Sequence, residues 1–208
     1  MKVLVVTAHP DDLEISCAGT LRRFQEQGAE IVSVVTVKPS AEVNPARSLT
    51  IVNNELMASY NLSGFELRVL DTDLHPNGRP DLKINNVTMT SLAKLLEPCD
   101  IAIIPHPEDF HLDHVNTYHL AWPLVRKLAK EVWLMHTVPY CADHRSNSAN
   151  LFYEMSEQWA FKKSLLRCYN SYFTQDDISK IYTANQHWGQ QNTGQLAETF
   201  TIIKKYVG

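Results

Sequence analysis

Two stretches of this chain crowd metal-ligating and proton-transferring side chains together. One is His9-Pro10-Asp11-Asp12 in "VTAHPDDLEIS"; the other, "IAIIPHPEDFHLDHVNT", carries His106, Glu108, Asp109, His111, Asp113 and His114. Neutral imidazoles and a carboxylate suit a borderline divalent ion, and a catalytic zinc site uses three protein ligands with one position left for water. His9 and Asp12, three apart across a tight turn entering a helix, can point at one ion, and a histidine of the second stretch would complete a His-Asp-His set. Asp11 is then one carboxylate more than the metal needs, and free to act as a base. Each stretch alone has a simpler reading. Asp11 or Asp12 can cap a helix by accepting its first N–H groups, and Asp113 can sit in a first helical turn beside the positive end of the dipole. Together, "HPDD" and "HLDH" put three histidines (His9, His111, His114) and three aspartates (Asp11, Asp12, Asp113) at two strand ends, which exceeds what caps require. The residues alone leave open whether His111 or His114 is the ligand.

The elements that must position these groups are short apolar runs with little alternation at 2–8, 30–37, 66–72, 100–106 and 131–137. Such runs read as strands buried on both faces. Between the first two, Leu13, Cys17, Leu21 and Phe24 mark one helical stripe, with Gly28 placed to end it at C′. Further helices are expected at 48–60, 86–96 and 115–129. Strand and helix in alternation imply right-handed crossovers and an α/β, Rossmann-like fold: a mostly parallel sheet of five or more strands with helices on both faces. Ligands of such sheets bind beyond the carboxyl ends of the strands. The first and fourth strands would therefore deliver both clusters to the same edge. Residues 148–208 read as aromatic-rich helical additions to a single domain spanning 1–208, and 38–48 and 73–86 read as loops.

Composition narrows the function classes. With 44% hydrophobic and 20% charged residues in 208, the chain can bury a real core, and its net charge of −4 provides no basic surface for nucleic acid or anionic lipid. No stretch reaches the roughly 18 apolar residues of a spanning helix. Neither a signal peptide nor a C-x-x-C pair is visible; Cys17, Cys99, Cys141 and Cys168 are widely spaced, so a reduced, cytoplasmic protein is expected. "HPDDLE" stands where a phosphate-cradling G-x-G-x-x-G would follow the first strand, which disfavours a nucleotide-binding module.

"AHPDDLEISCAGTL" (8–21) closely resembles the AHPDD-x-E-x-x-x-x-GTL signature of the PIG-L/LmbE-like deacetylases, and "EDFHLDHVNT" (108–117) resembles their second signature. "EQGAEIVSVVTV" (26–37) and "AETF" (197–200) are also similar to the family's text. The resemblance implies a zinc-dependent hydrolase that removes N-acetyl groups from glucosamine-containing small molecules or glycoconjugates. Carried over by motif, His9, Asp12 and His114 would hold zinc, or another divalent transition metal, with Asp11 as general base. His111 would stabilise charge or protonate the leaving amine, and Asp113 would orient His111 and tune its pKa. The resemblance thus selects His114 as the ligand. An alternative within the same chemistry is a metal-dependent amidase of a non-sugar or thiol-conjugate amide.

Two positions depart from the signatures. Leu112 stands where proline is usual, and Asn53 and Asn54 precede Glu55 where many members carry a substrate-contacting arginine, the nearest here being Arg47. Substrate contacts are expected from Asp71, Asp73, Arg47 and His136, the last with Tyr140 beside it. Trp122, Trp133, Trp159 and Phe161 read as packing aromatics, His119 as a helix-face residue, and Lys162 and Lys163 as solvated. At 208 residues the chain is short for the family, so one wall of the pocket is expected to be reduced or supplied by a second subunit of a homo-oligomer.

Overall fold

The computed structural model of the chain describes residues 1–37, 48–71, 82–137, 149–192 and 194–205. Among these, seven strands form one sheet in the order β3-β2-β1-β4-β5-β7-β6: β1 Lys2–Thr7, β2 Glu30–Val35, β3 Glu66–Val69, β4 Cys99–Pro105, β5 Ala129–Met135, β6 Leu151–Glu154 and β7 Ala197–Lys205. The first five are parallel, as their unbroken apolar runs require. Successive β1 residues serve opposite faces: Leu4 and Val6, with Ala8 just beyond the strand, join one core, and Val3 and Val5 the other. The first core is closed by α4 (Asn86–Ala93) and α5 (Leu112–Leu128), the second by α1 (Asp12–Ser16), α2 (Ala18–Glu26), α3 (Leu49–Ser63) and α6 (Trp159–Leu166). A third cluster joins Ile15 and Leu166 to Ile178 and Ile181 of α7 (Gln175–Asn192).

The strand order reverses at β1. The chain runs outward from β1 through β2 to β3, then crosses to the other side of β1 for β4, so β1 and β4 lie side by side in register from Val3↔Ile101 to Val5↔Ile103. This switch point opens a crevice at the carboxyl ends, the usual ligand position in such sheets.

Three expectations need correction. The stripe from Leu13 to Phe24 is not one helix: the backbone breaks at Cys17 (φ −146°, ψ 7°), separating α1 from α2, and Gly28 then takes φ 83° beyond the end of α2. The 148–208 segment is not purely helical, because β6 and β7 are antiparallel strands that complete the sheet. Ala197–Phe200 are consecutively buried, so they show no strand alternation, although Thr199, Thr201, Ile202 and Ile203 have the β-branched shape that fits a pleated surface; β6 is too short to display a period.

Lys162 is also not solvated: it is fully buried, and its Nζ donates to Glu198 Oε1 and to the Ile15 carbonyl, both at 2.7 Å. Glu198 in turn accepts from Gly19 N (3.0 Å), Thr20 N (2.7 Å) and Thr20 Oγ1 (2.6 Å). The break at Cys17 leaves the first amides of α2 without intrahelical partners, and the β7 carboxylate satisfies them. "GTL" and "AETF" are thus two halves of one buried contact.

Candidate metal centre

His9 follows β1, and its loop enters α1 directly. The Asp12 carboxylate turns back, accepting His9 N–H at Oδ2 (2.7 Å), while Asp11 at the N-cap makes no side-chain cap. The helix-cap reading of "HPDD" therefore fails for both aspartates. On the neighbouring strand, the turn after β4 places His111 as N-cap of α5, its Nδ1 accepting Asp113 N–H at 3.2 Å, and His114 one turn further in. Leu112 is the first helical residue, where proline is tolerated but not needed, so its exchange leaves the helix start intact.

Packing β1 against β4 brings the two clusters together. The rings of His9, His111 and His114 lie 4.6 to 5.2 Å apart between centroids, and each offers a nitrogen within 4.8 Å of the others, a group that could hold a metal ion. His9 Nδ1 lies 3.3 Å from His114 Nε2, and Asp12 Oδ1 lies 3.2 Å from the same Nε2. The outer nitrogens of both rings face carboxylates: His114 Nδ1 meets Asp109 Oδ2 at 2.8 Å and His9 Nε2 meets Asp113 Oδ2 at 3.1 Å. A carboxylate only accepts, so both outer nitrogens carry protons. The inner nitrogens then turn their lone pairs toward one another and toward Asp12. Three electron-pair donors converging in this way need a cation or protons between them, and the pairing of carboxylate, histidine and metal is the usual means of aiming imidazole ligands. The donor set therefore fits a divalent ion.

The charge balance points the same way. Burial by itself would lower the pKa of His9, but hydrogen bonds to Asp113 and Asp12 outweigh it and raise the value to about 10. For His114 burial is likewise outweighed, by the Asp12 charge and the Asp109 hydrogen bond, giving about 9. Burial would raise Asp12, yet the His114 charge holds its carboxyl well below the usual range. Asp11 behaves oppositely: burial and the adjacent Asp12 charge push it up to about 6. Burial, with the charges on His9 and His114, lowers His111.

Asp113 sits between the two rings: its carboxylate is 3.1 Å from His9 Nε2 and 4.0 Å from His111 Nδ1, so its shorter contact orients His9. It meets His111 through its backbone N–H and through its charge, which counters the burial that lowers the His111 pKa. Asp109 was visible in the sequence as one acid among several, without a role; the fold makes it the partner of His114. Of the expected substrate contacts, Asp71 is exposed beyond the end of β3, an edge strand two places from β1. Buried His136 pairs with Thr201 Oγ1 on β7 (3.0 Å) and packs on His106 (5.1 Å between rings); burial and then His106 lower its pKa to about 4. Arg47, Asp73 and Tyr140 lie outside the described residues. Glu55 accepts from Ser171 N (2.7 Å) and Oγ (2.6 Å), tying α3 to the chain after α6. Trp133 is core, and His119 is exposed on α5.

The family model for GlcNAc-PI de-N-acetylase (PIG-L) matches residues 4–125, more than half of the chain and both clusters. Among solved structures, the N,N'-diacetylchitobiose deacetylase from Pyrococcus horikoshii superimposes with a TM-score of 0.77 at 20% identity, over 97% of this chain and 83% of that one. A deacetylase of the teicoplanin biosynthesis pathway gives a TM-score of 0.76 at 17% identity, over 97% of both chains. The 4-carboxy-2-hydroxymuconate hydratase GalB from Pseudomonas putida KT2440 gives 0.75 at 18% identity, over 100% of this chain and 98% of that one. At these identities the superpositions establish a shared fold, which in GalB carries a different reaction.

Proposed function

The chain belongs to the PIG-L family of GlcNAc-PI de-N-acetylases, and on that premise we propose that it is a zinc-dependent hydrolase that releases acetate from an N-acetylated amino sugar or its conjugate. The observation that carries the proposal is the convergence of His9 Nδ1, His114 Nε2 and Asp12, with both rings aimed from behind by Asp113 and Asp109. Zinc held there supplies Lewis acidity, polarising the amide carbonyl and lowering the pKa of water toward about 7.

The protein's own groups do the rest. Asp11, adjacent to Asp12 and with its pKa near neutrality, is deprotonated at pH 7 yet basic enough to take a proton from the attacking water. His111 accepts at Nδ1, so its proton sits on Nε2. Its lowered pKa keeps the ring neutral, which favours stabilising the negative charge on the substrate oxygen over supplying a proton. The proton that Asp11 has taken then goes to the nitrogen of the leaving amine. The likenesses to a diacetylchitobiose deacetylase and a teicoplanin-pathway deacetylase support an amino-sugar substrate. A cytoplasmic setting agrees with Cys17, Cys99 and Cys168 being free thiols, and no helix among the described residues is long and apolar enough to cross a membrane.

Acetate release from N-acetylglucosamine derivatives and from unrelated acetamides, each with and without a chelator, tests this. Release from the sugars that stops on chelation and returns with zinc is expected. Release that survives metal removal overturns the zinc chemistry, and release from the non-sugar acetamides alone replaces the sugar with the amidase alternative.

A further inference from the structure

The catalytic turn is held from behind by a segment outside the matched family region. Its first three carbonyls are each satisfied: His9 O accepts from Asp12 N (3.4 Å), Asp11 O from Ile15 N (3.1 Å), and Pro10 O from the Tyr169 hydroxyl (2.7 Å). The first two bonds are local. The third comes from a residue 159 positions away in sequence, in the chain following α6. Tyr169 is fully buried, and its hydroxyl also lies 3.1 Å from Glu14 Oε1, which accepts from Ser59 Oγ at 2.5 Å. The ring packs against Tyr172 and Phe173, and Ser171 fixes the same segment to α3 through Glu55. Lys162, on α6 ahead of this segment, holds the Ile15 carbonyl at the far end of α1.

We propose that Tyr169 is a positioning residue for the HPDD turn, its hydroxyl fixing the peptide plane between Pro10 and Asp11. The inference rests on the reading of His9, Asp11 and Asp12 as catalytic machinery. The physical reason is that the Pro10 carbonyl shares one rigid planar unit with the Asp11 nitrogen and Cα. Holding that oxygen sets the course of the Asp11–Asp12 backbone, and with it both the direction in which the Asp11 side chain leaves and the approach of the Asp12 carboxylate to the ion. The neighbouring proline restricts φ at position 10 but leaves the tilt of the following peptide open. A hydrogen bond from outside the turn removes that freedom. The family region 4–125 therefore supplies the chemical groups, while the orientation of the Asp11–Asp12 pair depends on residue 169.

Tyr169→Phe removes the hydroxyl and keeps the ring packing. Ser171→Ala, which loses a hydrogen bond in the same segment without touching the turn, is the control. The decisive readout is independent of substrate: the visible spectrum of the cobalt(II)-loaded protein and zinc affinity by chelator competition. Tyr169→Phe is expected to alter the cobalt bands and weaken zinc about tenfold, the low end for residues that orient ligands, while Ser171→Ala matches wild type. On a hydrolysed substrate, kcat should fall about tenfold to a hundredfold with KM little changed, as for a misplaced catalytic group. A wild-type spectrum and affinity in Tyr169→Phe overturn the proposal, as does an equal change in Ser171→Ala, which would mean general loosening. Absence of acetate release by the wild-type protein would overturn the proposed reaction instead, leaving the metal readouts to decide on Tyr169. Tyr169→Met, a second hydroxyl-free side chain that adapts its packing, carries the same test if the phenylalanine variant does not fold.

Discussion

One carboxylate, that of Asp109, holds both His111 and His114: its Oδ2 lies 2.8 Å from His114 Nδ1, and its Oδ1 accepts the His111 backbone N–H at 2.8 Å. The group that aims the inner nitrogen of His114 thus also fixes the start of α5. Asp109→Asn keeps the shape but can present an N–H where the ring needs an acceptor. Zinc affinity should drop by about 10- to 100-fold, measured by chelator competition. Unaltered affinity would mean that His114 needs no such partner.

Asp11 and Asp12 are adjacent in sequence but shifted in opposite directions, Asp11 up to about 6 and Asp12 well below the usual carboxylate range, which separates their roles. Asp11→Asn should lower kcat by about 10²- to 10⁴-fold, the range for loss of a general base, while the protein retains one equivalent of zinc by elemental analysis. Asp12→Asn should lose the metal. Loss of zinc from the Asp11 variant would exchange the two assignments.

In the metal-free protein, folding stabilises two imidazolium ions, with pKa values of about 10 for His9 and about 9 for His114 against an ordinary 6.5. Their contribution to stability is fully present below pH 6.5 and is lost as the pH rises through 9 and then 10. Zinc must displace the same protons, so its affinity should climb with pH across this window, with about two protons released per ion near pH 7. Calorimetric titrations in buffers of different ionisation enthalpy count those protons. An affinity independent of pH would contradict the arrangement.

The Lys162–Glu198 pair is fully buried, and Glu198 also serves the amides of α2. Glu198→Ala should cost about 3–5 kcal/mol, the usual penalty for stranding one buried charge, read from urea unfolding. Lys162→Met, which keeps the volume but leaves the carboxylate with its three donors from Gly19 and Thr20, should cost less. An equal loss in both variants would place the stability in the ion pair and not in the capping of α2.

Much of the site was legible in the residues. The apolar runs of β1 and β4, each ending in a cluster of histidine and aspartate, encode both the strands and their chemical ends, because burial on two faces and ligand chemistry are properties of residue type and short spacing. The signatures at 8–21 and 108–117 went further and assigned different expected roles to His114 and His111. Three things were decided only by tertiary structure. The adjacency of β1 and β4 makes two clusters into one site, and it arises from the crossover at the switch point, which no local pattern contains. The shorter contact of the Asp113 carboxylate with His9, 3.1 Å against 4.0 Å to its neighbour His111, depends on where α5 docks against β1. The burial of Lys162 and the reach of Tyr169 to Pro10 follow from α6 packing behind α1, where β7 supplies the carboxylate that an amphipathic pattern cannot foretell. Periodicity and motif spacing report the side chains a segment offers; their partners are chosen by whichever distant backbone the sheet order brings within hydrogen-bond reach.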